Sequence, residues 1–155
     1  MKVLTHPSGF TKAILSQEPD GSALRVHVWD DHLPDTIDIH QHRASFTSTV
    51  ITGSMNEEIY RYVDDPDGGW EQALVNCWTD DTGEYHVDPY CAWTRCRVEP
   101  VALLTHKTGE TYERDCRDLH RVFPVALPLV TLVETGPVER QVHTLIRKRE
   151  DDRRA

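Results

Sequence analysis

The sequence predicts an all-β fold, with many short strands gathered into a sandwich or small barrel. Three observations lead there. Apolar and polar residues alternate in short runs, as in Leu24-Arg25-Val26-His27-Val28-Trp29, and a period of two places one set on the core face. The runs are rich in Thr, Val and Phe, which suit a pleated surface. Turn signals separate the runs at regular spacing.

Taken in order, the first run places Leu24, Val26 and Val28 on one face and Arg25, His27 and Trp29 on the other. The second runs from Arg43 to Thr52 and stops at Gly53. Glu58 to Val63 alternates again, followed by Ala73 to Trp78, Thr94 to His106 and Thr111 to Arg114. Arg121 to Val125 and Leu129 to Glu134 read as two further strands. Val142 to Ile146 suits a strand, although Val138, Val142, Leu145 and Ile146 also fit a helical stripe. Pro19-Asp20-Gly21, Asp65-Pro66-Asp67-Gly68-Gly69, Asp81-Thr82-Gly83 and Thr108-Gly109 supply the turns. The polar, Gly- and Trp-rich stretch 64–93 predicts a hairpin excursion or a lid over a pocket.

A chain of 155 residues with 38% hydrophobic content is expected to form one domain, here 1–150, with a frayed charged tail at 151–155. The net charge of -9 argues against nucleic acid, because acidic groups repel phosphates. No apolar run approaches a membrane span, and the start lacks a signal-peptide core, so a cytoplasmic protein is the expectation. Cys77, Cys91, Cys96 and Cys116 form no Cys-x-x-Cys pair. They are expected as reduced packing residues.

The chemistry-bearing feature is His40-Gln41-His42 at the head of the second run. Side chains at i and i+2 of a strand share a face, so two imidazoles stand side by side. His120, between two strand-like runs, is the candidate third ligand. Three imidazoles leave open positions for water, substrate or dioxygen. Such a donor set suits iron, zinc, copper, manganese or nickel.

The spacing of these residues resembles the cupins, a superfamily of small double-stranded β-barrels (jelly rolls). The first cupin motif is His-x-His, three or four residues, usually Glu, then six residues and Gly. Gly53 closes it on register, with Phe46 at the Glu position and Pro34 where a Gly usually precedes. The second motif opens with Gly and reaches its His eleven residues later, as Gly109 and His120 do. Asp115, Arg117 and Pro124 replace its Pro, Gly and Asn. The resemblance covers about residues 10 to 137 and implies a cupin-type barrel with short flanking helices or loops.

Within the cupins the chain resembles the cysteine dioxygenases and related thiol dioxygenases, which hold iron(II) with three histidines. Phe10-Thr11-Lys12, Trp29, Leu119-His120-Arg121-Val122 and Pro128-Leu129-Val130-Thr131-Leu132 carry that likeness. It implies Lys12 at the position of their carboxylate-binding Arg, a weaker match because lysine lacks the two-pronged fork. Val133 and Thr135 stand where those enzymes carry a His and a Tyr. The resemblance therefore implies the metal triad better than it implies oxidation of cysteine.

Lys12, Arg25, His27, Trp29, Phe46 and Ser48 are the expected pocket lining, with a bound carboxylate or phosphate as the natural partner of a buried Arg25. His6, His32, His86, His106 and His143 are expected to face solvent, and Trp70, Trp78 and Trp93 to pack in core or lid. Three functions remain open. One is a non-heme iron(II) dioxygenase-like enzyme using dioxygen on a small carboxylate-, amine- or thiol-bearing substrate. The second is a zinc or other divalent-metal enzyme acting as Lewis acid. The third is a non-catalytic small-molecule binder. The apolar strands leave room for a homodimer.

Overall fold

The computed structural model describes residues 1–6, 8–30, 38–80, 82 and 84–149. Its strands are β1 (Lys2–Thr5), β2 (Thr11–Gln17), β3 (Ala23–Trp29), β4 (Ile39–His40), β5 (Phe46–Asp64), β6 (Trp70–Thr79), β7 (Tyr85–Pro89), β8 (Thr94–Lys107), β9 (Thr111–Arg114), β10 (Leu119–Thr135) and β11 (His143–Lys148). The fold is all-β and antiparallel throughout. The described residues contain no helix, so the flanking segments expected as helices or loops are turns and bends. None of them forms a helix long and apolar enough to cross a membrane.

Two long strands organise the molecule. β5 and β10 pair along almost their whole length, from Leu119↔Tyr60 to Thr135↔Phe46. One half of the pair builds a wall with β3, β2 and β1 on one side and β9 on the other. The other half continues through β8, β6, β11 and β4. β4 then returns to β10 through His40↔His120, closing the circuit. The closing contact of the barrel is thus a pairing of two predicted ligands.

Gly53 is the corner of β5. It has φ +81, and a Cβ there would lie 2.4 Å from the Ala126 carbonyl oxygen. Only glycine accepts both that conformation and that close approach. The ladder shifts register opposite it, between Ala126 and Val130, where Pro128 has no N–H to give. Between the walls, Trp29, Val50, Met55 and Leu129 pack into one buried cluster, with Phe10, Tyr112 and Val122 against it. Ile39, Cys96, Leu119 and Ile146 form a second under the other wall. Each fully buried aliphatic chain contributes about 1.5–3 kcal/mol.

Several expectations are corrected. Gly53 does not end a strand; it bends one, so the runs around it merge into β5. The runs predicted at 121–125 and 129–134 likewise join in β10. β1 and β2 were not anticipated. The stretch 64–93 carries the hairpin of β6 and β7, whose Tyr85 and Val87 border a cavity. Val142 to Ile146 resolves as β11. Cys91 is exposed and Cys77 half-buried, while Cys96 and Cys116 are packed as expected, and all four are free thiols. Trp78 is largely exposed and stacks on His86. The tail 151–155 and Pro34 lie outside the described residues.

Candidate metal centre

β4 is only two residues long, and the chain bends at 43–44 before entering β5. His40 is on β4, and His42 lies between β4 and that bend, not at the head of a continuous strand as expected. The pair still converges, with the His42 backbone N–H donating to the Cys116 carbonyl just before β10. Ring centroids are 4.9 Å apart for His40–His42, 5.1 Å for His40–His120 and 5.0 Å for His42–His120. One nitrogen from each ring lies within 4.8 Å of the others. The Nε2 atoms of His42 and His120 are 2.7 Å apart. Two ring nitrogens that close, shielded from water, are placed to share one cation or proton.

The backs of the rings fix which nitrogen faces the centre. His40 Nδ1 lies 3.0 Å from the Asp38 carbonyl oxygen, which can only accept. His120 Nδ1 donates to Glu57 Oε1 at 2.6 Å. In a neutral ring so held, the lone pair sits on Nε2 and points inward. Burial, with smaller repulsion from His120, lowers the His40 pKa to about 3. Burial, then the neighbouring His40 and His120, pushes His42 well below the ordinary imidazole value. These two rings are therefore neutral donors at neutral pH. The donor set fits a divalent cation of the first transition row.

Glu57 was missed by the sequence reading. Its side chain is fully buried (0% exposed) yet ionised. Burial pushes its pKa up, but hydrogen bonds from His120 and Arg114 outweigh this and hold it at about 2. Arg114 Nε donates to Oε1 at 2.8 Å, its Nη2 donates to Oε2, and His106 Nε2 donates to Oε2 at 2.8 Å. The signal was present: Glu57 shares strand parity with buried Met55, and an acid on an inward face needs partners.

The three imidazoles open into a cavity of about 160 Å³. All six expected pocket residues, Lys12, Arg25, His27, Trp29, Phe46 and Ser48, line it. The register explains this. Lys12 is opposite His27, Arg25 is opposite Val133, Val133 is opposite Ser48 and Thr135 is opposite Phe46, so one face of the β2–β3–β10–β5 wall carries them all. Phe46 stands 4.8 Å from the His42 ring and 6.0 Å from the His120 ring, so the position of a possible carboxylate is apolar. Val133 and Thr135 also face the cavity. Burial, then Arg25 and Arg43, lowers Lys12 to about 8. Burial, then Lys12 and Arg25, lowers His27 to about 3, and its Nε2 is buried without a hydrogen-bond partner.

The remaining histidines divide. His6, expected in solvent, lines the cavity and stacks on Phe10 at 4.4 Å, and burial lowers it to about 2. His106 is buried, held by Glu57 and stacked on Tyr112 at 3.9 Å. His143 is buried beside a second, outer chamber. His86 is half-buried and bonded to Asp80. His32 lies outside the described residues. For His106 on β8 and His143 on β11, burial on the inward side of a strand overrides the polarity of the side chain.

No protein-family model matches the chain, and no curated protein matches it. Among solved structures it is similar to a hydroquinone 1,2-dioxygenase in complex with Cd2+ and 4-hydroxybenzonitrile. That match has TM-score 0.47 and 14% identity, covering 86% of this chain and 68% of the other. It is also similar to an oxalate oxidase, at TM-score 0.48 and 13% identity. There the match covers 89% of this chain but only 56% of that one. With identities this low, the site stands on its own geometry: three converging histidines, a buried carboxylate behind one of them, and a cationic cavity in front.

Proposed function

We propose that this chain is a mononuclear metal-dependent oxygenase of the cupin kind, with His40, His42 and His120 holding iron(II) and a small anionic substrate bound beside them. The observation that carries the reading is the near-equilateral triangle of imidazoles at the floor of a cavity. The motif order His40-x-His42, Gly53, Gly109 and His120 supports it. When bound, the metal supplies Lewis acidity and, as iron(II), electrons for dioxygen chemistry.

The chain's own residues do the rest. Asp38 and Glu57 orient two of the rings from behind. Phe46 adds no negative charge, so three imidazoles leave the centre cationic and receptive to anions. Lys12 and Arg25 provide the charge that anchors a substrate carboxylate. Trp29 and Phe46 exclude water from that contact. Val133 has no side-chain group that can give or accept a proton, and the Thr135 hydroxyl donates to the Ala23 carbonyl at 3.4 Å. Neither supplies the His and Tyr of the thiol dioxygenases, so cysteine itself is not the expected substrate.

The test is oxygen uptake by anaerobically purified protein loaded with iron(II) or zinc, against small carboxylates, amines and thiols. Iron-dependent uptake that His42→Ala abolishes is the expected result. Turnover by the zinc form without oxygen would replace this reading with Lewis-acid chemistry. Binding that persists in His120→Ala, with no turnover by either form, would leave a binder.

A further inference from the structure

The cavity holds more positive charge than one carboxylate requires. Its outer chamber, about 460 Å³, adds Lys2 and Arg43 to the Lys12 and Arg25 that both chambers share, against one acidic residue in its lining, Asp38, which has interactions of its own. β1, β2 and β3 carry Lys2, Lys12 and Arg25 on one face, because Lys2 is opposite Ile14 and Ile14 is opposite Arg25. Arg43 approaches from the bend after His42. Among the described residues no carboxylate forms an ion pair with any of these four. Arg25 Nε is buried without a hydrogen-bond partner. Burial first, then Arg43, lowers the Arg25 pKa, and burial, then Arg25, Arg43 and Lys2, lowers Lys12, the direction that close like charges produce.

This gathering occurs in a chain with 26 acidic and 17 basic side chains. Lys12, Arg25 and Arg43 are half-buried and Lys2 is exposed; clustered cations with no ion pair among the described residues are costly where they are half-buried unless an anion enters. One carboxylate beside the histidines is satisfied by Lys12 or Arg25 alone. Arg43 and Lys2 lie farther out, in a chamber of the size that small-molecule sites use.

We infer that the substrate carries two anionic groups, one reaching the histidine end of the cavity and the second held by Arg43, Lys2 and the shared pair. A dicarboxylate and a phosphorylated acid both have this chemistry. The inference rests on the reading of the cavity as a substrate site but not on the metal being iron.

The test measures binding by calorimetry to the metal-free and metal-loaded protein, with acetate, succinate and 2-phosphoglycolate as probes. At least one dianion should bind tenfold or more tighter than acetate, and which one does so separates carboxylate from phosphate as the second group. Arg43→Gln should weaken that dianion at least tenfold while changing acetate less than threefold. Lys2→Gln, at an exposed position, should act in the same direction. Equal binding of acetate and both dianions, or no response to either substitution, overturns the inference. Dianion binding without any metal uptake would instead count against the metal centre and leave the anion site standing.

Discussion

Replacing Glu57 by Gln removes one charge and no volume, at a place where four N–H donors meet two oxygens. His120 Nδ1 and Arg114 Nε donate to one oxygen, and His106 Nε2 and Arg114 Nη2 to the other. A glutamine amide has one accepting oxygen, so its NH2 must face two donors. Two hydrogen bonds to a charged group are lost, each worth about 1.5–3 kcal/mol. Arg114, only 15% exposed, is left without its counter-ion. The expected loss is about 3–5 kcal/mol, the range for breaking a buried pair. For a chain of this size that lowers Tm by roughly 6–20 °C. Because the negative charge behind His120 is also lost, metal affinity should fall about 10–100-fold. Thermal unfolding and metal titration read the two effects separately. Glu58→Gln, one residue away, breaks a partly exposed pair with Arg121 and should cost no more than about 1 kcal/mol. If Glu57→Gln unfolds no earlier than Glu58→Gln and binds metal as tightly as the parent, the role assigned to Glu57 is wrong.

Acid should destabilise the metal-free protein early. His27 and His40 titrate near 6.5 when unfolded but are held at about 3 by burial when folded. Between those values the unfolded chain binds protons that the folded one refuses. Each such histidine therefore subtracts up to about 1.4 kcal/mol per pH unit as pH falls through that window. Glu57, at about 2 folded against 4.5 unfolded, adds a loss that begins near 4.5 and completes near 2. Tm measured against pH should be level above 7 and fall steeply below 6; a flat profile down to pH 4 would contradict this. At the β5 corner, Gly53→Ala combines φ strain of about 1–3 kcal/mol with the clash on Ala126, whereas Gly109→Ala meets nothing within 4 Å and carries the strain alone. Denaturant unfolding should rank Gly53→Ala clearly below Gly109→Ala, and equal midpoints would remove Gly53 from its place at the corner.

Alternation made the inward face of β3 legible from sequence, because Leu24, Val26 and Val28 left Arg25, His27 and Trp29 to one side. Register did the same for Phe46 and Ser48. His120 was legible through its spacing from Gly109. What escaped was long-range. Glu57 lies inside a strand whose alternation is interrupted by charged residues, and its meaning comes from His120, His106 and Arg114, which arrive from distant segments. His6 reads as a polar residue near a chain end until β1 pairs with β2 and carries it to the cavity wall. Gly53 was read as the end of a run and the close of a motif, whereas its positive φ can end a strand or turn it between sheets. Only the pairing of β5 with β10 decides which.

The central claim is that His40, His42 and His120 hold one metal ion. Metal content of the anaerobically purified protein, measured beside His40→Ala, tests it most directly. About one transition-metal ion per chain is expected, lost in the variant, with a rise in Tm when iron(II) is restored to stripped protein. Parent protein that carries no metal, and gains no stability from iron(II), zinc or manganese, would contradict it.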